Sequence, residues 1–254
     1  MFGRFARAVP PPAGDGGAAA GIGDAFSRLW DGAKEALRQL TYFEMKKRAG
    51  VVGQKGLGPL VGRLATAAPE LRVHLIGHSF GARLVSFALA GLPDPGAGVS
   101  PVKSLLLLQG AFSHFAFADA LPDDPGRGGA LKGMARRVDG PLAASFSAHD
   151  LAVGKMYPLA SLSSRDDSAG VTDLLYRWGA IGHDGAQAVA AAELPLGPVG
   201  QAYRLAAGRF TNLNGDGVIN HGGPPSGAHS DIFHPEVVWA AISIAGLGVA
   251  AAQP

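Results

Sequence analysis

The chain contains no cysteine. That absence excludes disulfides, a thiolate nucleophile and any metal site built on sulfur ligands. Charge is scarce: Asp, Glu, Lys and Arg make up 17% of the residues, and 22 basic against 20 acidic leaves a net charge of +2. The basic residues are scattered, with Lys46-Lys47-Arg48 as their one cluster and no interleaved aromatics, so no nucleic-acid partner is expected. Long apolar runs are missing too. Val237–Ala252 is uncharged but too short to span a bilayer and contains Gly246 and Gly248, which reads as a buried terminal helix. Met1–Ala20 carries Arg4 and Arg7, then Pro10-Pro11-Pro12, without the apolar core of a signal peptide. A cytoplasmic protein with no stable membrane insertion is expected.

Glycine and proline are plentiful, with 38 and 18 copies in 254 residues. That length suits one α/β domain. Residues 1–22 read as a flexible Pro/Gly/Ala leader and 23–254 as the domain. Phe26, Leu29, Trp30, Ala33, Leu37, Leu40 and Phe43 form a helical stripe over Gly23–Arg48, with Asp24 as its cap. Gly50–Gly58 reads as a turn-rich connection, and Leu57, Leu60, Val61 and Leu64 as a second helix. Strands are expected at Arg72–Gly77, Val102–Gln109, Pro141–Ser147 and Tyr203–Phe210. Helices are expected through Leu84, Val85 and Leu89, over Leu151–Leu162, and from Pro235 to about Leu247. Leu105-Leu106-Leu107-Leu108 is apolar without alternation, the pattern of a strand buried on both faces of a parallel sheet. The fold class is therefore α/β, with an open, mostly parallel sheet flanked by helices.

At the end of the first strand lies Gly77-His78-Ser79-Phe80-Gly81. Strand, tight turn, then helix is the context in which a G-x-S-x-G pushes a serine hydroxyl out of the backbone. Gly77 and Gly81 would allow a close strand–helix approach. The plainer reading is a glycine-rich turn whose serine caps the helix.

A serine hydroxyl needs a base to take its proton, and the base works best when a carboxylate orients it. In a parallel sheet such groups gather at the carboxyl ends of strands. Asp150 follows the third strand, with helix capping as its plainer role; Asp166, Asp167 and Asp173 lie away from strand ends. His221, His229 and His234 share the loop before the last helix. His229 is favoured because Ser230 and Asp231 leave it in polar backbone, whereas His234, the alternative base, sits between Phe233 and Pro235 and can pack. His74 and His78 fit packing or local hydrogen bonds.

Asn212-Leu-Asn-Gly-Asp216-Gly217 has part of a calcium loop's spacing, but Gly223 stands where the twelfth-position Glu is needed. No metal is expected there. Gly56-Leu57-Gly58 lacks the Lys-Ser/Thr of a phosphate loop, and no cofactor is expected. The insertion at about 111–139 reads as cap-like; its Phe112, Phe115 and Phe117 suit either an apolar acyl pocket or ordinary core.

The order Ser, Asp, His with a G-x-S-x-G elbow resembles the α/β-hydrolase superfamily. More narrowly, the chain resembles an uncharacterised group of bacterial α/β-hydrolase-like proteins. The resemblance rests on Met45–Gly53, His74–Arg83, Leu108–Ser113 and His229-Ser-Asp231, and covers roughly Tyr42 to Ala240. It implies a serine hydrolase acting on a small-molecule acyl substrate, with Ser79 as nucleophile, His229 as general base, Asp150 as its orienting acid and the Phe80 N–H as one oxyanion donor. The family's strands upstream of the elbow, and the second oxyanion donor they supply, have no counterpart before Leu71. The expectation is either a shortened fold or upstream sequence beyond this chain. The edge of the nucleophile strand would then need a helix, a partner or a second copy to cover it.

Overall fold

In the computed structural model, residues 41–94, 99–156, 176–177 and 179–248 are described. The chain divides into two units, Met1–Phe43 and Glu44–Pro254, and the sheet lies in the second. The leader, most of the first expected helix and the outer part of the helix expected over Leu151–Leu162 fall outside the described residues.

The leucine run sets the architecture. Strand β2 (Val102–Leu108) pairs with β1 (Val73–His78) on one side and β3 (Leu142–Phe146) on the other. Beyond β3 come β5 (Phe210–Asn214) and then β4 (Ala191–Pro195), giving the order β1-β2-β3-β5-β4 with every pair parallel. Side chains alternate along β2. Leu105 and Leu107 enter one core with Leu75, Leu142, Phe210 and Ala82, Val85 and Leu89 of helix α2 (Phe80–Gly91). Leu106 and Leu108 enter the other with Ala143, Leu213 and Val237, Ala240 and Ile244 of helix α4 (Pro235–Ile244). Burial on both faces is what the unalternating run predicted. The result is a general α/β fold with helices on either side of a five-stranded sheet.

The fold departs from expectation in three places. First, Gly50–Gly58 is helical rather than turn-rich: residues 44–52 are helical, Gly53–Leu57 is a π-helical turn, and α1 (Gly58–Ala67) follows directly. Its glycines serve a helix crossing. A Cβ on Gly53 would stand 2.1 Å from the Leu84 carbonyl oxygen, and one on Gly91 would stand 1.9 Å from that of Gln54. Second, the strand expected at Tyr203–Phe210 begins only at Phe210; Tyr203 and Leu205 pack on the second core as irregular chain. The true strand, Phe-Thr-Asn-Leu-Asn, was masked by buried polar residues. Asn212 accepts from Ala186 N–H at 2.8 Å and donates to Ala186 O at 3.1 Å, so the loop beside it is held by a side chain. Third, β4 was not anticipated. It is an edge strand whose residues are half-buried or exposed, so it carries no burial pattern to read.

The 111–139 segment is the crossover from β2 to β3. Ala116, Phe117, Leu131 and Val138 join the first core, and Asp139 N–H donates to Val102 O at 2.8 Å, at the far end of β2. It does the work a crossover helix does in other parallel connections. The other edge strand, β1, pairs only with β2 among the described residues, and its Ile76 is 48% exposed. Among the described residues no helix is long and apolar enough to cross a membrane.

Candidate active site

Strand β1 ends at His78 and α2 starts at Phe80, which leaves one residue to reverse the chain. Ser79 takes φ 57° and ψ −122°, a backbone region that costs a side-chain-bearing residue about 1–3 kcal/mol. The bend is fixed by neighbours: Ser79 N–H donates to Leu108 O at 3.0 Å, and Ser79 O accepts from Ala82 and Ala111 N–H at 3.1 and 3.2 Å. Close strand–helix approach rests on Gly77, where a Cβ would lie 2.4 Å from Gly81 O; at Gly81 itself a Cβ meets nothing within 4 Å. The Ser79 side chain does not cap α2. Its Oγ lies 2.7 Å from His229 Nε2.

His229 stands between two partners, with Nδ1 2.8 Å from Asp150 Oδ2. Asp150 is fully buried and lies just beyond β3. It performs the plainer role as well as this one: Oδ1 accepts from Val153 N–H at 3.2 Å, capping the helical turn Ala152–Met156. Its Oδ2 also accepts from Gln109 Nε2 at 3.2 Å. Two N–H groups that can only donate therefore hold the carboxyl as an acceptor. This puts the imidazole proton on Nδ1 and leaves Nε2 bare to accept from the Ser79 hydroxyl.

Strands β1, β3 and β5 point the same way, so the loops after them meet at one sheet edge. The loop after β5 is itself organised. Asp231 Oδ2 accepts from Asn220 and His221 N–H at 3.0 and 2.8 Å, and its Oδ1 pairs with His234 Nε2 at 2.8 Å. Burial pushes the Asp231 carboxyl up, but these hydrogen bonds outweigh it and hold it below the usual carboxylate range. His234 is thus engaged by Asp231, and the imidazole on Ser79 is His229. His221 is exposed and lies 3.5 Å from Asp231.

His78 Nε2 donates to the His229 carbonyl at 2.8 Å, and the two rings lie 4.9 Å apart. Burial lowers the His78 pKa, and the neighbouring His229 adds to that; the hydrogen bond to the His229 carbonyl and the Asp150 charge oppose it. His74 pairs with Ser104 Oγ at 2.8 Å, away from the site.

Phe80 opens α2, so its N–H lies at the positive end of the helix beside Ser79. Phe112 and Phe117 are buried in the first hydrophobic cluster, and the Phe117 ring lies 4.9 Å from that of Phe210, tilted by 58°. Phe115 lies 3.9 Å from the His114 ring and 5.5 Å from Tyr176. Asp166, Asp167 and Asp173 lie outside the described residues. The calcium-like stretch runs from the last residues of β5 into a turn, with Asp216 N–H donating to Asn214 Oδ1 at 3.0 Å and Asp216 Oδ1 accepting from Ala148 N–H at 2.8 Å. Among the described residues no group of three or more His, Asp or Glu stands close enough to hold a metal ion.

Sequence reasoning passed over Gln109 and the donors to Asp231. The one available signal was position: Gln109 is the first residue beyond the carboxyl end of β2.

A buried carboxylate, an imidazole and an alcohol at a strained turn are thus hydrogen-bonded in series on a parallel α/β sheet. No family model, curated protein or solved structure matches this chain.

Proposed function

We propose that the protein is a serine hydrolase of the α/β-hydrolase type that cleaves an ester, thioester or related acyl bond of a small-molecule substrate. One observation carries the reading: the 2.7 and 2.8 Å links from Ser79 through His229 to buried Asp150, with Ser79 at a positive φ. His229 Nε2 takes the hydroxyl proton as Ser79 Oγ attacks the carbonyl carbon. The resulting oxyanion faces the Phe80 N–H at the start of α2. Collapse breaks the bond to the leaving group, which leaves with the proton from His229. Water then attacks the acyl-enzyme by the same relay, giving the carboxylic acid and restoring Ser79. Asp150 keeps its hydrogen bond to Nδ1–H and steadies the imidazolium.

A fluorophosphonate probe tests this directly. The wild type should label; Ser79→Ala should abolish labelling, and His229→Ala should slow it by at least about 1,000-fold. Persistent labelling of Ser79→Ala would refute the assignment.

A second reading, a catalytically silent hydrolase-like domain that binds a ligand or protein partner, is favoured by the edge of β1, which pairs only with β2 among the described residues, and by its half-exposed Ile76. Folded wild-type protein that never labels would select it.

A further inference from the structure

Gln109 is fully buried and takes φ 46°, although it is not a glycine. Few side chains occupy that region, and where one does the surroundings must hold it there. Here the holding groups are visible. Gln109 N–H donates to Ser145 Oγ at 3.3 Å, and the Ser145 hydroxyl donates to Gln109 Oε1 at 3.0 Å. With Oε1 fixed by that hydroxyl, the two amide hydrogens point the other way. One goes to the Gly182 carbonyl at 3.1 Å and the other to Asp150 Oδ2 at 3.2 Å. The amide cannot flip without setting its oxygen against a carbonyl and a carboxylate. Asp150 Oδ2 is also the oxygen that receives His229 Nδ1–H.

We propose that Gln109 is a positioning residue for the relay, orienting the Asp150 carboxylate so that one lone pair of Oδ2 is held for His229. The inference rests on the serine-hydrolase reading, and the strained backbone follows from it. From φ 46° at the end of β2 this side chain meets Ser145 on β3, the chain at Gly182 and Asp150 together. A residue that merely filled core volume would need neither the amide nor the hydroxyl that locks it. Without the amide donor, only Val153 N–H on Oδ1 would hold the carboxylate from the protein side, and the imidazole would meet a less fixed acceptor.

The test compares wild type with Gln109→Leu, Gln109→Glu and Ser145→Ala, using fluorophosphonate labelling rates and histidine nitrogen-15 NMR of the full chain. Gln109→Leu should label roughly 10- to 100-fold more slowly, the range set by losing a hydrogen bond to a charged group. Ser145→Ala should move the rate the same way by less. Gln109→Glu should keep a donor while its carboxyl is protonated and lose activity as pH rises, because an ionised Glu beside Asp150 repels it. In the NMR, the downfield Nδ1–H signal of His229 should shift or broaden in each variant while the thermal melt stays cooperative. Wild-type rates, an unchanged pH profile and an unmoved Nδ1–H signal would overturn the role. If Gln109→Leu does not fold, Ser145→Ala and Gln109→Glu decide by the same readouts. If the wild type never labels yet its Nδ1–H signal moves in the variants, the positioning role stands and the hydrolase reading falls.

Discussion

Asp231 never touches Ser79, yet it ties together the loop that carries His229. It gathers the N–H groups of Asn220 and His221 and the ring of His234 on one carboxylate. Its pKa is held below the ordinary carboxylate range, so the sign of its contribution is set. The stabilisation is present above the unfolded value and is lost as pH falls through the lower, folded one. Asp231→Asn should therefore cost about 1–2 kcal/mol near neutral pH, a difference that shrinks at pH 3 in paired urea titrations. Fluorophosphonate labelling of this variant should slow, because His229 shares the loop. At this scale the sequence was partly legible. Ser79, Asp150 and His229 could be proposed from their places relative to strand ends, whereas the choice of His229 over His234 depended on which ring Asp231 occupies.

Among the elements, the crossing of the π-turn with α2 makes the sharpest claim. Two glycines of one turn sit in opposite surroundings: a Cβ on Gly53 would lie 2.1 Å from a backbone oxygen, while one on Gly56 would meet only Val52 Cγ1 at 3.9 Å. Helix propensity favours alanine over glycine by up to about 1 kcal/mol at either position. Overpacking against backbone costs about 1–3 kcal/mol or more. Gly53→Ala should therefore destabilise the protein, and Gly56→Ala should leave it unchanged or stabilise it, as read from urea midpoints. Composition cannot distinguish these glycines. A stretch with Gly50, Gly53, Gly56 and Gly58 reads as turns until a second helix is seen against it. The same blindness applies to β4, whose exposed edge position erases the pattern that betrayed β2.

Across the whole molecule, the two cores meet at β2, and β1 closes one side of the sheet. Leu106→Ala and Leu107→Ala remove side chains from opposite cores and should each cost about 2–5 kcal/mol in urea unfolding. Ile76→Ala, on the edge, should cost less than about 1 kcal/mol. If it costs as much as the leucines in dilute solution, that face is covered there by something beyond β2.

The leucine run of β2 pointed to a parallel α/β sheet, because burial on both faces leaves an unalternating stretch; β5 and β4 left no such mark. A glycine-flanked serine after an apolar run pointed to a tight strand–helix turn, and only the structure separated it from a capping serine. Partnership was not local. Ser79 and His229 are 150 positions apart, and His229 and Asp150 are 79 apart. Only the strand order brings their loops to one edge. Gln109 shows the limit most plainly: its donors and acceptors lie on β3, in α3 (Ile181–Asp184) and on Asp150. A hydrogen-bond network of that kind exists only once the tertiary structure has excluded water and chosen each group's neighbours.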